Sequence, residues 1–418
     1  MVKLPFNLHI GKNNILIILA SVIVIYLLIH YTFNGITTQP SEGDSVHMHI
    51  PTAKAILAGK IFYSNSNTGI NSYPASSEGI LAAFMLLHIP LDLYNVLAIV
   101  VLFFAIVPLG QAFGLSKNAS LMLAFSLCSL YGVLRYADTQ KIDIWLLVFY
   151  AFSLLLLQKP EKKLSYFVKL GFTLGMVAGS KYSGPFWVFI LLGFYFKNFI
   201  QNLSWGRFLA FLVPFSLLGV SWYIRNIIAF GNPFYPQAFL FFKGNPHLQY
   251  YAWPYWKIAI SFPGELFNAL LSEYMVWVVS IVFLAVICIG NLFLKQFQSV
   301  NPVRKVLLLG LVNFVYFLFL PAAPIHNYTA IVYDIRISFP ALLTMMLTLF
   351  CIAKIYKQTE LLMFIVFANM IFVISAFPYH PKLIFGFVLL FTVLILSLVR
   401  VLKISFAENR DLTSASKR

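Results

Sequence analysis

Charge is what this sequence has least of. Asp, Glu, Lys and Arg make up 10% of its 418 residues, against about a quarter of an average soluble domain. Hydrophobic residues make up 61% and mean hydropathy is +0.86, so an ordinary soluble globule is excluded: its interior could not hide that much apolar surface. Acids are scarcer than bases, 13 against 29, for a net charge of +16. In a soluble chain that excess would suggest nucleic acid. In a chain this apolar, basic residues in cytoplasmic loops set topology, and no nucleic-acid partner is expected.

Cysteine is nearly absent. Cys128, Cys288 and Cys351 all lie inside apolar runs, so no disulfide framework is implied and the three read as packing residues. No nucleotide fingerprint occurs, and no Gly-x-Ser-x-Gly string supports a nucleophile-elbow hydrolase. The stretch Gly179-Ser-Lys-Tyr-Ser-Gly184 lacks the Gly-Lys-Ser/Thr ending of a phosphate loop. Internal repeats, low-complexity tracts and Gly/Ser linkers are also missing, so residues 1–418 read as one domain.

What the chain does have is long apolar runs. About 20 apolar residues cross a bilayer as one helix. Candidate spans lie near 15–33, 92–114, 118–135, 143–158, 166–180, 184–197, 208–228, 272–294, 305–321, 337–354, 361–377 and 382–402. The run 76–89 is too short to cross. Keeping it outside puts most of the 29 basic residues on the cytoplasmic side, among them Lys159, Lys162, Lys163, Arg304 and Lys305, as the positive-inside rule requires. The expected fold is all-α: a multi-pass cell-membrane protein of about twelve transmembrane helices, with both termini cytoplasmic and an uncleaved first span.

That topology leaves two long external segments, 34–91 and 230–271. In the first, Pro51 to Gly59 predicts a short amphipathic helix lying on the outer interface, with Pro in the first turn, Ile50, Ala53, Ile56 and Leu57 at helical spacing, and a terminal Gly. The second is dense in aromatics, including Phe234, Tyr235, Phe239, Trp253 and Trp256. These suit either an interfacial belt or a platform for a sugar ring or lipid chain. Gly171, Gly175 and Gly179 carry the small-xxx-small spacing of close helix packing.

Charges near hydrocarbon cost a few kcal/mol and mark candidate function. In this topology Asp44, Asp138, Asp143, Lys181, Arg225, Asp334 and Arg336 share one level at the outer face. Segments hundreds of residues apart would thus deliver acids and bases to one site. Cations there suit a phosphate or pyrophosphate, while a carboxylate beside them can accept a proton from a hydroxyl or amine. Asp44 and His47 share a face if that stretch is helical. His47 and His49 alone do not make the three or four clustered ligands of a zinc site, so no metal site is assigned. A divalent cation is the one cofactor that remains to be considered.

The order of these elements resembles a family. Asp44 leads into Ala53-Lys-Ala-Ile-Leu-Ala-Gly59, then Gln140-Lys-Ile-Asp143 opens a span. Gly179-Ser-Lys-Tyr182 follows, then Trp222-Tyr-Ile-Arg-Asn226, Gly231-Asn-Pro-Phe-Tyr-Pro236 and Arg336-x-x-x-Pro340. The chain is similar to the C-type (GT-C) superfamily of membrane glycosyltransferases, nearest the protein O-mannosyltransferases and the aminoarabinose transferases of lipid A. The resemblance runs from about Asp44 to Pro340. It implies an inverting transfer of a sugar from a polyprenyl-phosphate donor on the extracytoplasmic face. Asp44 takes the place of the family's first-loop acid, and Asp143, with Asp138 as rival, that of the second-loop acid. Lys181 and Arg225, with Arg336, take the places of the cations that meet the donor phosphate. Glu42, His47, Tyr182, Tyr235 and His326 are candidate substrate contacts. The chain departs from the mannosyltransferase Asp-Glu pair, since Ser45 follows Asp44 and Glu42 precedes it. With no soluble domain after the last span, a polypeptide acceptor is disfavoured and the acceptor stays unassigned.

The expectation is therefore that Asp44, Lys181 and Arg225 meet in one site open to the extracytoplasmic side. A secondary transporter and a lipid-linked glycan polymerase or ligase are the rival readings, and a lipid-binding scaffold a more distant one.

Overall fold

The computed structural model describes residues 12–36, 43–60, 72–245, 253–274, 301–320 and 334–355, together with Leu362, Val366, Asn369 and Met370. Helix α1 (Lys12–Ile36) is followed by a π-helical turn, Ser45–His49, that runs into α2 (Ile50–Leu57). Next come α3 (Ser76–Leu86), α4 (Leu93–Ala112), α5 (Lys117–Cys128), α6 (Tyr131–Leu134), α7 (Asp143–Gln158), α8 (Leu164–Ser180) and α9 (Gly184–Ile200). α10 (Trp205–Phe215) continues through a second π-helical turn, Ser216–Val220, into α11 (Ser221–Phe230). α12 (Tyr255–Ser261), α13 (Pro263–Tyr274), α14 (Asn301–Phe319) and α15 (Phe339–Ile355) complete the order, α15 entered by a 3-10 turn, Ile335–Ser338. Among the described residues there is no strand; Phe239 and Phe242 form an isolated bridge.

Three continuous helical stretches are long and apolar enough to cross a bilayer: Leu93–Ala112, Trp205–Phe230 and Ile335–Ile355. α7, α8 and α9 are shorter apolar helices. Of the long stretches, Ile335–Ile355 is enclosed by protein while Trp205–Phe230 is mostly bare, with Val213, Leu217 and Ile228 turned outward. α1 likewise exposes Ile18, Val22 and Ile25. Helices this apolar with one bare face belong in lipid. α3 has 11 residues, about 16 Å at helical rise, too short to span. The expected span 382–402, most of 272–294 and all but four residues of 361–377 lie outside the described residues, and the described helices do not by themselves number twelve spans.

One expected span is broken. The run 118–135 forms α5 and the single turn α6, joined by Ser129 and Leu130, whose ψ of 137° is extended. Non-helical backbone survives at that depth only if its polar groups find partners. Buried Asn95, on α4, supplies them just beyond the break. Its amide donates to the carbonyls of Tyr136 (3.1 Å), Thr139 (2.9 Å) and Lys141 (2.8 Å).

Association of apolar helices in lipid depends on close backbone approach and buried polar contacts. The glycine stripe of α8 provides the first. A Cβ added at Gly171 would sit 2.1 Å from the carbonyl oxygen of Phe211, and one at Gly179 1.8 Å from that of Leu218. The partner is α10 with its π-helical turn, which follows Pro214. Pro214 lacks an N–H, and the helix widens after it. Leu218, in the widened turn, lends its carbonyl to the hydroxyl of Ser76 on α3, and the Trp222 indole donates to that same hydroxyl oxygen at 2.7 Å. Buried Asn313 supplies the second kind of contact. It donates to the hydroxyls of Tyr150 (2.7 Å) and Thr344 (3.1 Å), which ties α14 to α7 and α15.

In the first loop segment α2 forms where expected and ends in a Schellman arrangement. The amide of Gly59 donates to the Ile56 carbonyl and that of Lys60 to the Ala55 carbonyl, with Gly59 at φ +66.

Candidate active site

Four segments far apart in the chain deliver charge to one place. Asp44 stands at the head of the first π-helical turn, with Ser45 buried behind it. The Ser45 hydroxyl accepts the amide hydrogen of Gln140 at 3.1 Å, which fixes that turn against the loop before α7. The same loop is held by Asn95 from behind, and the Gln140 side chain donates to the Leu91 carbonyl at 3.2 Å. Lys141 and Asp143 therefore project from a braced backbone. Lys181 follows α8 in extended conformation, and its carbonyl accepts the Gly184 amide hydrogen at 2.8 Å as α9 begins. Arg336 sits on the 3-10 turn, where the Tyr274 hydroxyl donates to the Ile335 carbonyl at 2.9 Å.

Arg336 is the hub. Its Nη2 lies 2.8 Å from Asp44 Oδ2, its Nε makes an ionic contact of 2.9 Å with Asp143 Oδ2, and Asp334 Oδ1 stands 3.7 Å from Nη2. Lys141 Nζ adds a 3.2 Å contact to the same Asp44 oxygen. Lys181 Nζ donates to the other oxygen of Asp143 at 2.8 Å. Three acids thus interleave with three bases. The Tyr136 ring is shared by cations: Arg135, Lys141 and Arg336 lie 4.9, 5.1 and 5.8 Å from its centroid. Just beyond, Arg135 pairs with buried Glu273.

Exposure decides which members can meet a substrate. The side chains of Lys141, Asp143 and Arg336 are 2%, 6% and 9% exposed, whereas Lys181 is at 24% and Asp44 at 37%. Asp44 and Lys181 are therefore the most accessible members of the cluster, with Asp334 at 18% next, while Lys141, Asp143 and Arg336 are buried. Burial alone would raise the Asp44 carboxyl. Arg336, Lys141 and His49 outweigh it and hold Asp44 below the usual carboxylate range, so it is ionised at neutral pH. A divalent cation fits this donor set poorly, because each acid already faces a lysine or arginine that would repel it. Among the described residues no group of three or more His, Cys, Asp or Glu is placed to hold a metal ion.

Arg225, Tyr182 and Tyr235 form a separate cluster around the Ser72 carbonyl. Arg225 Nη2, the Asn226 amide (2.8 Å) and the Tyr182 hydroxyl (2.9 Å) all donate to it. Arg225 also donates to the Tyr73 carbonyl and stacks over Trp222. Among the described residues its guanidinium contacts Asn226, Ser72, Tyr73 and Trp222, whereas Asp44 and Lys181 stand in the ion cluster. The expected meeting of all three is thus two neighbouring groups linked through the consecutive residues Lys181 and Tyr182. Burial pushes the Tyr182 hydroxyl well above its ordinary range, so it is a neutral donor, also bonded to the Tyr235 carbonyl. Tyr235 stacks on Phe230 at 4.0 Å, accepts from Asn245 at 2.9 Å and precedes a cis proline. The turn into this segment needs Gly231, which closes α11 at φ +68; Asn232 then accepts the Phe234 amide hydrogen at 2.8 Å.

Of the remaining candidates, Asp138 is half-buried on the braced loop and His47 is exposed. Glu42 and His326 lie outside the described residues. The wider π-helical turn carries His49, rather than His47, inward, where its Nδ1 is 2.9 Å from buried Glu78. Sequence reasoning passed over Lys141, Asn95, Tyr136 and the His49–Glu78 pair. A signal for the first existed, since Lys141 stands in the same Gln-Lys-Ile-Asp string as Asp143.

No family model, curated protein or solved structure matches this chain.

Proposed function

We propose that the ion cluster is the reaction centre of an inverting glycosyltransferase that draws its sugar from a polyprenyl-phosphate donor at the extracytoplasmic face. The accompanying topology is twelve crossings with both termini cytoplasmic. Asp44 accepts the proton of the acceptor hydroxyl as its oxygen attacks the anomeric carbon. The bond from that carbon to the phosphate oxygen breaks, and the departing lipid phosphate is stabilised by Lys181 and Arg336. Charge stabilisation of a leaving group is usually the largest catalytic contribution. A carboxylate held ionised by cations is a modest base. It suits a transition state of oxocarbenium character, in which the acceptor proton leaves late.

The single observation that carries this reading is the pairing of the two most accessible members: Asp44 and Lys181, a proton acceptor and a cation, belong to one network joined by Arg336 and Asp143. The resemblance of the sequence elements to C-type transferases supports it. Neither Arg225 nor a metal ion is needed for the step.

The test uses purified protein in vesicles, native membranes as acceptor source, and labelled polyprenyl-phosphate mannose, glucose and aminoarabinose as donors. Wild-type protein is expected to transfer label with inversion from one donor, and Asp44→Asn to lose most transfer while keeping its fold. Full activity of Asp44→Asn removes Asp44 from the mechanism. Transport without transfer favours the carrier reading, and use of a pyrophosphate-linked oligosaccharide the polymerase.

A further inference from the structure

The cluster is electrically full. Among the described residues, Asp44, Asp143 and Asp334 balance Lys141, Lys181 and Arg336, so an incoming phosphate finds each of these cations with a carboxylate beside it. Adding an anion to a neutral, mostly buried cluster leaves uncompensated charge, which is costly. One of the three acids must give way.

Geometry singles out Asp143. It is the acid whose two oxygens face two different cations, Oδ1 on Lys181 at 2.8 Å and Oδ2 on Arg336 at 2.9 Å. Two oxygens of a phosphate would take the same pair of contacts. Asp44 reaches Arg336 and Lys141 through a single oxygen. Lys181 is also the most exposed cation of the cluster, so an anion arriving from outside meets it first, and Asp143 is the acid paired with it.

We infer that the place between Lys181 and Arg336 is a phosphate site which the protein fills with its own Asp143 carboxylate, and that ligand binding is an exchange of one anion for another. The inference rests on the glycosyltransferase reading for the identity of the phosphate. A polyprenyl-phosphate sugar is a phosphodiester with one negative charge, so between Lys181 and Arg336 it replaces the displaced carboxylate charge for charge. The product is a phosphomonoester, which carries about −1.5 to −2 near pH 7. It overfills the site, and the returning Asp143 helps to expel it. Asp143 is here a positioning and release residue, distinct from the base.

The experiment measures binding of a sugar-free polyprenyl phosphate, inorganic phosphate and uncharged polyprenol to wild-type protein and to Asp143→Asn in mixed micelles. Removing the competing carboxylate is expected to tighten polyprenyl phosphate about tenfold or more, the scale of a charge-assisted contact, with no gain for polyprenol. A gain for inorganic phosphate as well locates the effect in the anion site, and a gain confined to the lipid shows that the chain is also needed. In single-turnover and steady-state assays the variant should show product inhibition that wild type lacks. Equal or weaker polyprenyl-phosphate binding in a folded variant overturns the exchange. Should the variant fail to accumulate because Lys181 loses its carboxylate and Arg336 one of its three, the same lipid added during solubilisation is expected to rescue it, and no rescue overturns the idea. Binding by wild type without a gain in the variant removes only the exchange. Absence of binding by wild type removes the exchange and the donor reading together.

Discussion

Replacing Arg336 with lysine keeps the positive charge and removes the fork. Nη2 and Nε of Arg336 reach Asp44 and Asp143 separately, at 2.8 and 2.9 Å, whereas an ammonium is a single point that can serve one carboxylate well. The loss of one charge-assisted contact costs about 1.5–3 kcal/mol. Arg336→Leu leaves both acids without their shared cation and costs about 3–5 kcal/mol, the scale for breaking a buried pair from one side. The order of stability should therefore be wild type, then Arg336→Lys, then Arg336→Leu, read as thermal unfolding midpoints in detergent. Transfer should fall further than stability in Arg336→Lys, since the lost fork also unsettles Asp44. Wild-type melting and transfer by Arg336→Lys would refute the claim that one guanidinium organises both carboxylates.

Other expectations follow from the same geometry. Asn95→Leu removes the donor to the carbonyls of Thr139 and Lys141, at about 1–3 kcal/mol for each that stays unsatisfied, while the Tyr136 carbonyl keeps the Thr139 amide and hydroxyl. The substitution should lower both the melting midpoint and transfer although Asn95 touches no reacting group. Gly171→Leu forces a side chain against the Phe211 carbonyl, where a Cβ alone would be 2.1 Å away, so stability should fall by about 1–3 kcal/mol or more, the scale of an overpacked interface, read as a lower yield of folded protein. For pH, the Asp44 carboxyl is depressed below its ordinary 3.8, so its stabilising contribution is fully present above that value and disappears as pH falls through the lower folded-state value. Melting curves of wild type and Asp44→Asn should therefore differ near neutral pH and converge only below about pH 4; a convergence at pH 6 contradicts the assignment.

Much of the site was legible as depth along the chain. Asp44, Asp143, Lys181 and Arg336 stand at the ends of apolar runs, and charges at such ends share a level whatever the details of packing. The glycine stripe of α8 and the Gly59 stop of α2 were also readable, because each depends on local spacing. What a single sequence does not carry is direction around each helix axis. Arg225 and Lys181 sit at the same expected level, yet Arg225 turns to the Ser72 carbonyl and Lys181 to Asp143. Lys141 reads as an ordinary loop cation until the loop is seen to be buried. Asn95 hides at the start of an apolar run, and its purpose emerges only from the non-helical loop between α6 and α7 whose carbonyls it holds. The π-helical turn after Asp44 shifts the inward position from His47 to His49, a change of register that residue spacing at 3.6 per turn does not anticipate.

The central claim is tested most directly by a structure of the protein with a non-hydrolysable polyprenyl-phosphate sugar bound. The account predicts the phosphate within hydrogen-bond reach of both Lys181 and Arg336, with Asp143 swung away and the anomeric carbon facing Asp44. A lipid phosphate seated elsewhere, with the Asp44, Asp143, Lys181 and Arg336 network intact, would contradict it.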